Sequence, residues 1–199
     1  MKRIGTLLFV TVAVLSATGV AEAAEKYNVD SGHSYVGFTV KHLGVASVRG
    51  EFKEYSTELI VDEENVLNSS LVLEIDAASV DTDEDRRDEH LRSADFFEVE
   101  TYPEIVFKSK RIEEGDLGRY KATGDLTIHG VTKEVVLDLE INGPITDPWG
   151  NHRVGAEGEV TINRQDYDVK FSRVMDNGGL IVADNVLISF ALEASRKLE

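Results

Sequence analysis

The sequence predicts an all-β fold: an antiparallel barrel with its apolar side inside and one short helix at an end. Three observations predict it. Apolar and polar residues alternate with a period of two in six separate stretches of the 199-residue chain, the signature of strands with one buried face. Turn-forming residues punctuate those stretches at roughly even spacing, as in sandwiches and barrels. The residues expected to face inward include the small Gly124, Ala156, Gly158 and Ala194, which would leave room at the centre.

The elements follow in chain order. Val36, Phe38 and Val40 face one way, and Tyr35, Gly37, Thr39 and Lys41 the other. Further strands are expected near Val48–Val61 and Ile105–Ile112. Leu71, Leu73 and Ile75 alternate with Val72, Glu74 and Asp76. Ala122, Gly124, Leu126 and Ile128 form another inward set, and Val135, Leu137, Leu139 and Ile141 the next. Val154, Ala156, Gly158, Val160 and Ile162 precede a last strand through Val186, Ile188, Phe190, Leu192 and Ala194. Turns are expected at Asp62–Asn65, Glu113–Asp116, His129-Gly130, Asn142-Gly143-Pro144 and around Trp149. Short hairpins of this kind make sequence neighbours antiparallel neighbours in space. Only one stretch breaks the pattern. The acids from Asp81 to Asp85 precede Arg86, Arg87 and Arg92. Acids complement the start of a helix dipole and arginines its end, so a helix is expected over Asp83–Ala94.

Length and charge bound the function. Residues 1–23 begin with Lys2 and Arg3, continue through an apolar stretch, and end on Ala21-Glu22-Ala23. That is the form of a cleaved secretory signal peptide, which implies a periplasmic protein and a single domain over residues 24–199. Lys and Arg total 21 against 37 Asp and Glu, a net charge of −16. Removing Lys2, Arg3 and Glu22 takes away two positive charges and one negative charge and makes it −17. So acidic a chain is poorly suited to nucleic acid or to anionic headgroups at a membrane surface. The charged outward face of nearly every strand argues against a membrane-embedded barrel. There is no cysteine, hence no thiol chemistry, Cys zinc site or lipid anchor on a cysteine.

Candidate chemistry is sparse. The run from Asp81 resembles the start of an EF-hand loop, but its sixth and twelfth positions are Arg86 and Arg92, where Gly and Glu are required. His33, His42, His90, His129 and His152 form no HExxH or close pair, and no nucleophile or phosphate-binding motif is present. No catalytic residue, metal ion or cofactor is expected. His42 continues the inward face of Val36, Phe38 and Val40, which would carry it to the mouth of an interior space. Arg92, Arg164 and Arg173 stand near element ends, either in structural salt bridges or as planar donors to an anionic headgroup.

Three segments resemble the YceI-like family of exported lipid- or polyisoprenoid-binding proteins. The first is His33-Ser34-Tyr35-Val36-Gly37-Phe38-Thr39-Val40-Lys41-His42-Leu43-Gly44, continuing through Val48-Arg49-Gly50-Glu51-Phe52. The second runs from Arg87 to Phe97, followed by Tyr102-Pro103 and Phe107-Lys108-Ser109. The third runs from Gly124 to Lys133 and contains His129-Gly130-Val131-Thr132. The sequence departs at Asp168, where the family often has Gly, which puts the shape of that loop in question.

The resemblance implies an eight-stranded, lipocalin-like antiparallel barrel with a short helix capping one end. It further implies a tunnel that holds an isoprenoid or fatty chain. The lining residues would be Val36, Phe38, Val40, Leu126, Ile128, Leu137, Leu139, Val160, Ile162, Ile188 and Phe190, with His42, Arg92 and Arg164 at the mouth. The expected function is a binding or carrier protein for a long apolar lipid, with room left for a homodimer. The competing readings are an enzyme acting on such a lipid through His42 or His90, and a structural protein with a solid barrel.

Overall fold

The computed structural model describes residues 24–172, 174 and 179–197. The expected signal peptide and Arg173 lie outside the described residues. The strands are β1 (Glu25–Val29), β2 (Tyr35–His42), β3 (Ala46–Phe52), β4 (Tyr55–Val61), β5 (Ser70–Asp76) and β6 (Val80–Asp81). The helix α1 (Asp85–Arg92) follows, then β7 (Glu104–Glu114), β8 (Tyr120–Ile128), β9 (Val131–Thr146), β10 (Asn151–Asn163) and β11 (Val182–Lys197).

These segments form a closed antiparallel barrel of eight staves. Three staves are each broken in two. β1 continues into β2 across the turn Ser31–His33, because both pair with one edge of β11: Val29 opposite Ala194, Phe38 opposite Ile188. β3 continues into β4, since β2 pairs with β3 and β1 with β4. β5 continues into β6, since β4 pairs with β5 and β3 with β6. From β5 the ladder runs through β7, β8, β9, β10 and β11, and the pairing of β11 with β1 and β2 closes it. Closure leaves no free edge on most of the wall, which suits an all-β chain. Among the described residues β6 pairs with β3 alone, and α1 packs against it. Among the described residues no helix is long and apolar enough to cross a membrane.

The helix is shorter than the expected Asp83–Ala94. Asp83 has φ +61° and Glu84 is extended, so Glu84 is the N-cap and its carboxylate accepts from the Arg87 amide at 2.7 Å. Asp85 and Asp88 sit in the first turn, and His90 and Arg92 in the last, as the dipole favours.

The expected turn at Asn142-Gly143-Pro144 is not a turn. β9 runs through it to Thr146, and the ladder with β10 slips between Arg153 and Gly155. A bulge accommodates a proline that cannot donate to the ladder. The chain reverses later, at Asp147–Gly150, where the Asp147 carboxylate accepts from the Trp149 and Asn151 amides at 2.9 Å.

Of the small inward residues, Ala156 and Ala194 border open interior space as expected, whereas the two glycines do not. A Cβ on Gly124 would lie 2.5 Å from the Phe107 ring, and one on Gly158 would lie 2.8 Å from Phe190. These glycines therefore do not leave empty space. They let the Phe107 and Phe190 rings approach the backbone of the neighbouring strand closely, and both rings line the interior. Asp168 takes φ +59°, the left-handed conformation glycine adopts freely and Asp tolerates. The loop thus keeps a glycine-like bend despite the substitution.

Candidate functional site

The barrel interior is hollow, which removes the solid-barrel reading. An apolar cavity of about 510 Å³ lies at the α1 end. The inward positions of β2, β5, β7, β8, β9, β10 and β11 supply its wall. Val36, Phe38, Val40, Leu126, Ile128, Leu137, Val160, Ile162, Ile188 and Phe190 line it. Leu139, the remaining expected lining residue, lines instead a second cavity of about 290 Å³ at the opposite end. Leu71, Phe107, Leu137 and Phe190 line both and form a waist between them.

The lid of the larger cavity is the α1 segment. Leu91, Phe96 and Phe97 face the interior from it. Phe97 meets Phe52 edge-on at 5.8 Å, and Phe96 packs against Phe171 at 4.8 Å. His90 stands edge-on to both Phe96 and Phe171, while its Nε2 meets Asp95 Oδ2 at 2.8 Å. The lid is fixed to β6 by polar contacts. The buried Asp88 carboxylate accepts from the Thr82 amide and hydroxyl. Arg87 donates to the Thr82 hydroxyl and carbonyl, both at 2.7 Å.

The three expected mouth residues are placed differently from one another. His42 is exposed at the end of β2 and lines the mouth. Arg92 does not reach the cavity lining; it donates to the Ala78 and Val80 carbonyls at 2.6 and 2.7 Å and pins the helix end. Arg164 borders the cavity, but its guanidinium is buried. It donates to the carbonyls of Val169 at 2.7 Å and Ala183 at 3.0 Å, and pairs with Asp184 at 2.8 Å. Burial pushes its pKa down, against the opposing pull of Asp184. Its donors are committed to holding the turn after β10 against β11.

Sequence reasoning omitted from the lining the residues of β5 and β7, among them Leu73, Ile75, Ile105 and Phe107. Their alternation was legible, and the same rule applies to them. It also omitted Lys41, Glu84, Arg86 and Arg87, further charged residues that border this cavity. Alternation assigns Lys41 to the outward face of β2 and the acid-then-arginine run assigns the other three to the helix, neither of which marks the border of a cavity.

The far end is closed by a polar cluster. Glu63, in the turn after β4, accepts from Tyr27 Oη at 2.5 Å and Arg196 Nε at 2.9 Å, and meets His152 Nδ1 at 2.8 Å. Burial alone would push the Glu63 carboxyl up, but the hydrogen bonds from Tyr27, His152 and Arg196 outweigh it and hold it at about 2. Burial and the neighbouring Glu63 push Tyr27 up to about 12.

Residues 27–194, nearly the whole barrel, match the YceI-like domain. The chain belongs to that family. A UPF0312 protein of Photorhabdus laumondii is 39% identical over 168 residues, which cover 83% of this chain and 86% of that one. Among solved structures, the YCEI protein of Campylobacter jejuni is 34% identical, with a TM-score of 0.69, covering 87% of this chain and 99% of that one. Burkholderia cenocepacia BcnA superposes with a TM-score of 0.73 at 27% identity, covering 83% of this chain and 99% of that one. A domain of Saccharophagus degradans described as polyisoprenoid-binding shares the fold, with a TM-score of 0.63 at 17% identity over 84% of this chain and 97% of that one. The eight-staved barrel with a helical lid is thus the fold of YceI-like proteins, and the two cavities described above lie inside it.

Proposed function

We propose that this protein is a periplasmic binding or carrier protein that holds a long apolar lipid, such as a polyisoprenoid, fatty acid or fatty amide, inside its barrel. The observation that carries the reading is the interior itself. It offers about 510 Å³ of space walled almost wholly by aliphatic and aromatic side chains, within the size range of small-molecule sites. Water in such a space gains few hydrogen bonds, and each methylene that replaces it contributes about 0.8 kcal/mol. A long chain therefore binds well with few polar contacts. The waist at Leu71, Phe107, Leu137 and Phe190 offers a path for a chain longer than the first cavity. The polyisoprenoid choice draws on the domain of Saccharophagus degradans, with which the shared property is the fold. Periplasmic location draws on the form of residues 1–23.

A binding role fits better than catalysis. His90 is paired with Asp95 and wedged between two phenylalanine rings, and the neighbouring Ser93 hydroxyl is spent on the His90 carbonyl at 2.7 Å.

The test is extraction of the natively purified protein into organic solvent, followed by mass spectrometry, with uptake of fluorescent polyprenyl and fatty-acid probes alongside. A long-chain ligand, or saturable probe uptake near equimolar ratio, is expected. A protein that carries nothing and takes up neither probe overturns the reading. Turnover of a bound lipid that vanishes in His90→Ala would replace the carrier with an enzyme.

A further inference from the structure

The hairpin that joins β2 to β3 stands at the rim of the larger cavity and ends in bare aliphatic side chains. Val45 is 83% exposed and Leu43 38%. His42, which precedes them, borders the cavity. So does Ile181, whose carbonyl accepts from the Leu43 amide at 2.8 Å. The apolar tip is thus fixed beside the opening into the interior.

The turn itself does not call for these residues. The Val45 amide donates back to the His42 carbonyl at 3.1 Å, and Leu43 and Gly44 between them have φ +53° and +71°. Such a turn favours Asn or Asp before Gly, and the left-handed region is unfavourable for a Leu. Aliphatic groups left in water gain nothing for the fold either. A leucine kept where it costs stability points to a use outside the fold.

Charge indicates that use. No acid occurs between Asp30 and Glu51, although the chain holds 37. The hairpin carries Lys41 and Arg49, both exposed and neither with an ion-pair partner among the described residues. Across the opening, α1 mixes Arg86 with Asp85 and Glu89, so the local positive excess belongs to the hairpin. A second Leu-Gly turn, Leu117-Gly118 with φ +57° and +76°, stands at the far end. There Asp116 adjoins it, and the turn after β4 on the same rim carries Asp62, Glu63 and Glu64.

We infer that the β2–β3 tip docks the protein on an anionic bilayer surface. Leu43 and Val45 enter the boundary between headgroups and acyl chains, and Lys41 and Arg49 meet lipid phosphates. This rests on the lipid-binding reading: a cargo insoluble in water has to be loaded and unloaded at a membrane, and docking here sets the cavity opening against it. The net negative charge of the chain opposes the approach. Most of that charge lies away from the contact, however, and is screened beyond a Debye length of about 8 Å at physiological salt. Each Lys or Arg held against an anionic surface is worth roughly fivefold in binding. The two aliphatic side chains add a shallow anchor, so the contact is weak and reversible, as repeated loading requires.

The test is co-sedimentation of the mature chain with vesicles of phosphatidylcholine alone and of phosphatidylcholine mixed with phosphatidylglycerol, at physiological salt. The mixed vesicles are expected to bind on the order of tenfold tighter. Leu43→Asn suits the turn better. It should keep or raise the thermal midpoint and leave uptake of a fluorescent fatty-acid probe in solution unchanged, yet weaken vesicle binding several-fold. Val45→Asp should weaken it further, and Lys41→Gln/Arg49→Gln should bring the ratio between the two vesicles toward one. Leu117→Asn should leave vesicle binding as it is. Trp149 is the only tryptophan of the chain, so the emission of Val45→Trp/Trp149→Phe comes from the tip alone and should shift to the blue on mixed vesicles. Vesicle binding that Leu43→Asn and Val45→Asp do not alter, or that Leu117→Asn removes, overturns the docking site. Equal binding to both vesicles overturns the role of Lys41 and Arg49. No binding to either overturns the membrane as occupant and leaves a protein partner at the tip. In each of these cases probe uptake by the wild type keeps the lipid-binding reading in place. Absence of that uptake overturns the reading and this inference with it.

Discussion

Glu63 accepts a hydrogen bond from the hydroxyl of Tyr27 at 2.5 Å, joining the turn after β4 to the first strand of the barrel. Tyr27 is 1% exposed and packs with Val61 and Ala194, and Arg196 lies over its ring. The same carboxylate meets Arg196 of β11 and His152 of β10. One side chain thus binds the strands on either side of the barrel's closing seam. Replacing Glu63 with Ala removes the Arg196 ion pair and the acceptor of the Tyr27 hydroxyl in a half-buried place. We expect a loss of about 3 kcal/mol in unfolding free energy, measured by chemical denaturation. An unchanged midpoint would show that the cluster does not hold the seam.

The same group sets an acid dependence. Its pKa is about 2 in the fold against an ordinary 4.5. A depressed carboxylate contributes stability that is complete above its unfolded pKa and is lost as pH falls through the folded one. The Glu63 contribution is therefore intact above pH 4.5 and disappears on the way down to about pH 2. Because other carboxylates titrate in the same range, the check is a difference. The stability gap between the wild type and Glu63→Gln should shrink across that window and stay constant between pH 5 and 7. A gap that widens on acidification would reverse the sign.

Gly124 controls how close the Phe107 ring lies to the wall. A Cβ there would meet the ring at 2.5 Å and the Lys108 carbonyl at 2.6 Å. Gly124→Ala should cost on the order of 1–3 kcal/mol through overpacking. It should also push the ring into the waist and weaken binding of the longest chains first. Thermal unfolding and a chain-length series separate the two effects.

The waist predicts a length limit. Fatty acids of increasing length should gain about 0.8 kcal/mol per methylene until the reachable space is filled. Leu137 lines both cavities, so Leu137→Trp should block passage and move the plateau to shorter chains. Short-chain affinity serves as the reference. A plateau at the same length in both proteins would mean that the tail never passes the waist.

Arg164 illustrates the difference between a charge near a site and a charge available to it. Arg164→Met keeps an apolar stem beside the cavity but strips donors from the Val169 and Ala183 carbonyls and from Asp184. We expect about 3 kcal/mol of destabilisation, measured by denaturation, and unchanged uptake of the fatty-acid probe by the protein that remains folded.

Much of the barrel was legible because its rule is local. Successive side chains on a strand point to opposite faces whatever the strand pairs with, so Val36, Phe38, Leu126, Ile128, Ile162 and Phe190 could be assigned to the interior from their own neighbours. The helix was legible for a similar reason, since Glu84, Asp85 and Arg92 act on a dipole within their own turn. The rule failed where a feature depends on a partner. Gly143-Pro144 reads as a turn in isolation, yet the ladder with β10 carries it as a bulge. Gly124 and Gly158 read as empty space, yet rings from adjacent strands cover them.

The sequence by itself determined the class of fold, the inward face of nearly every strand, the lid and the family. Only the tertiary structure decided where the charges meet. Arg92 and Arg164 stand at element ends, where the sequence leaves salt bridges and a headgroup both open, and both are tied to backbone carbonyls, Arg164 also to Asp184. Tyr27, Glu63, His152 and Arg196 are scattered from the first strand to the last and meet only at the seam. Alternation is set by the geometry of one strand, but the neighbours of a charge are set by the closure and register of the whole barrel, which no short window of sequence contains.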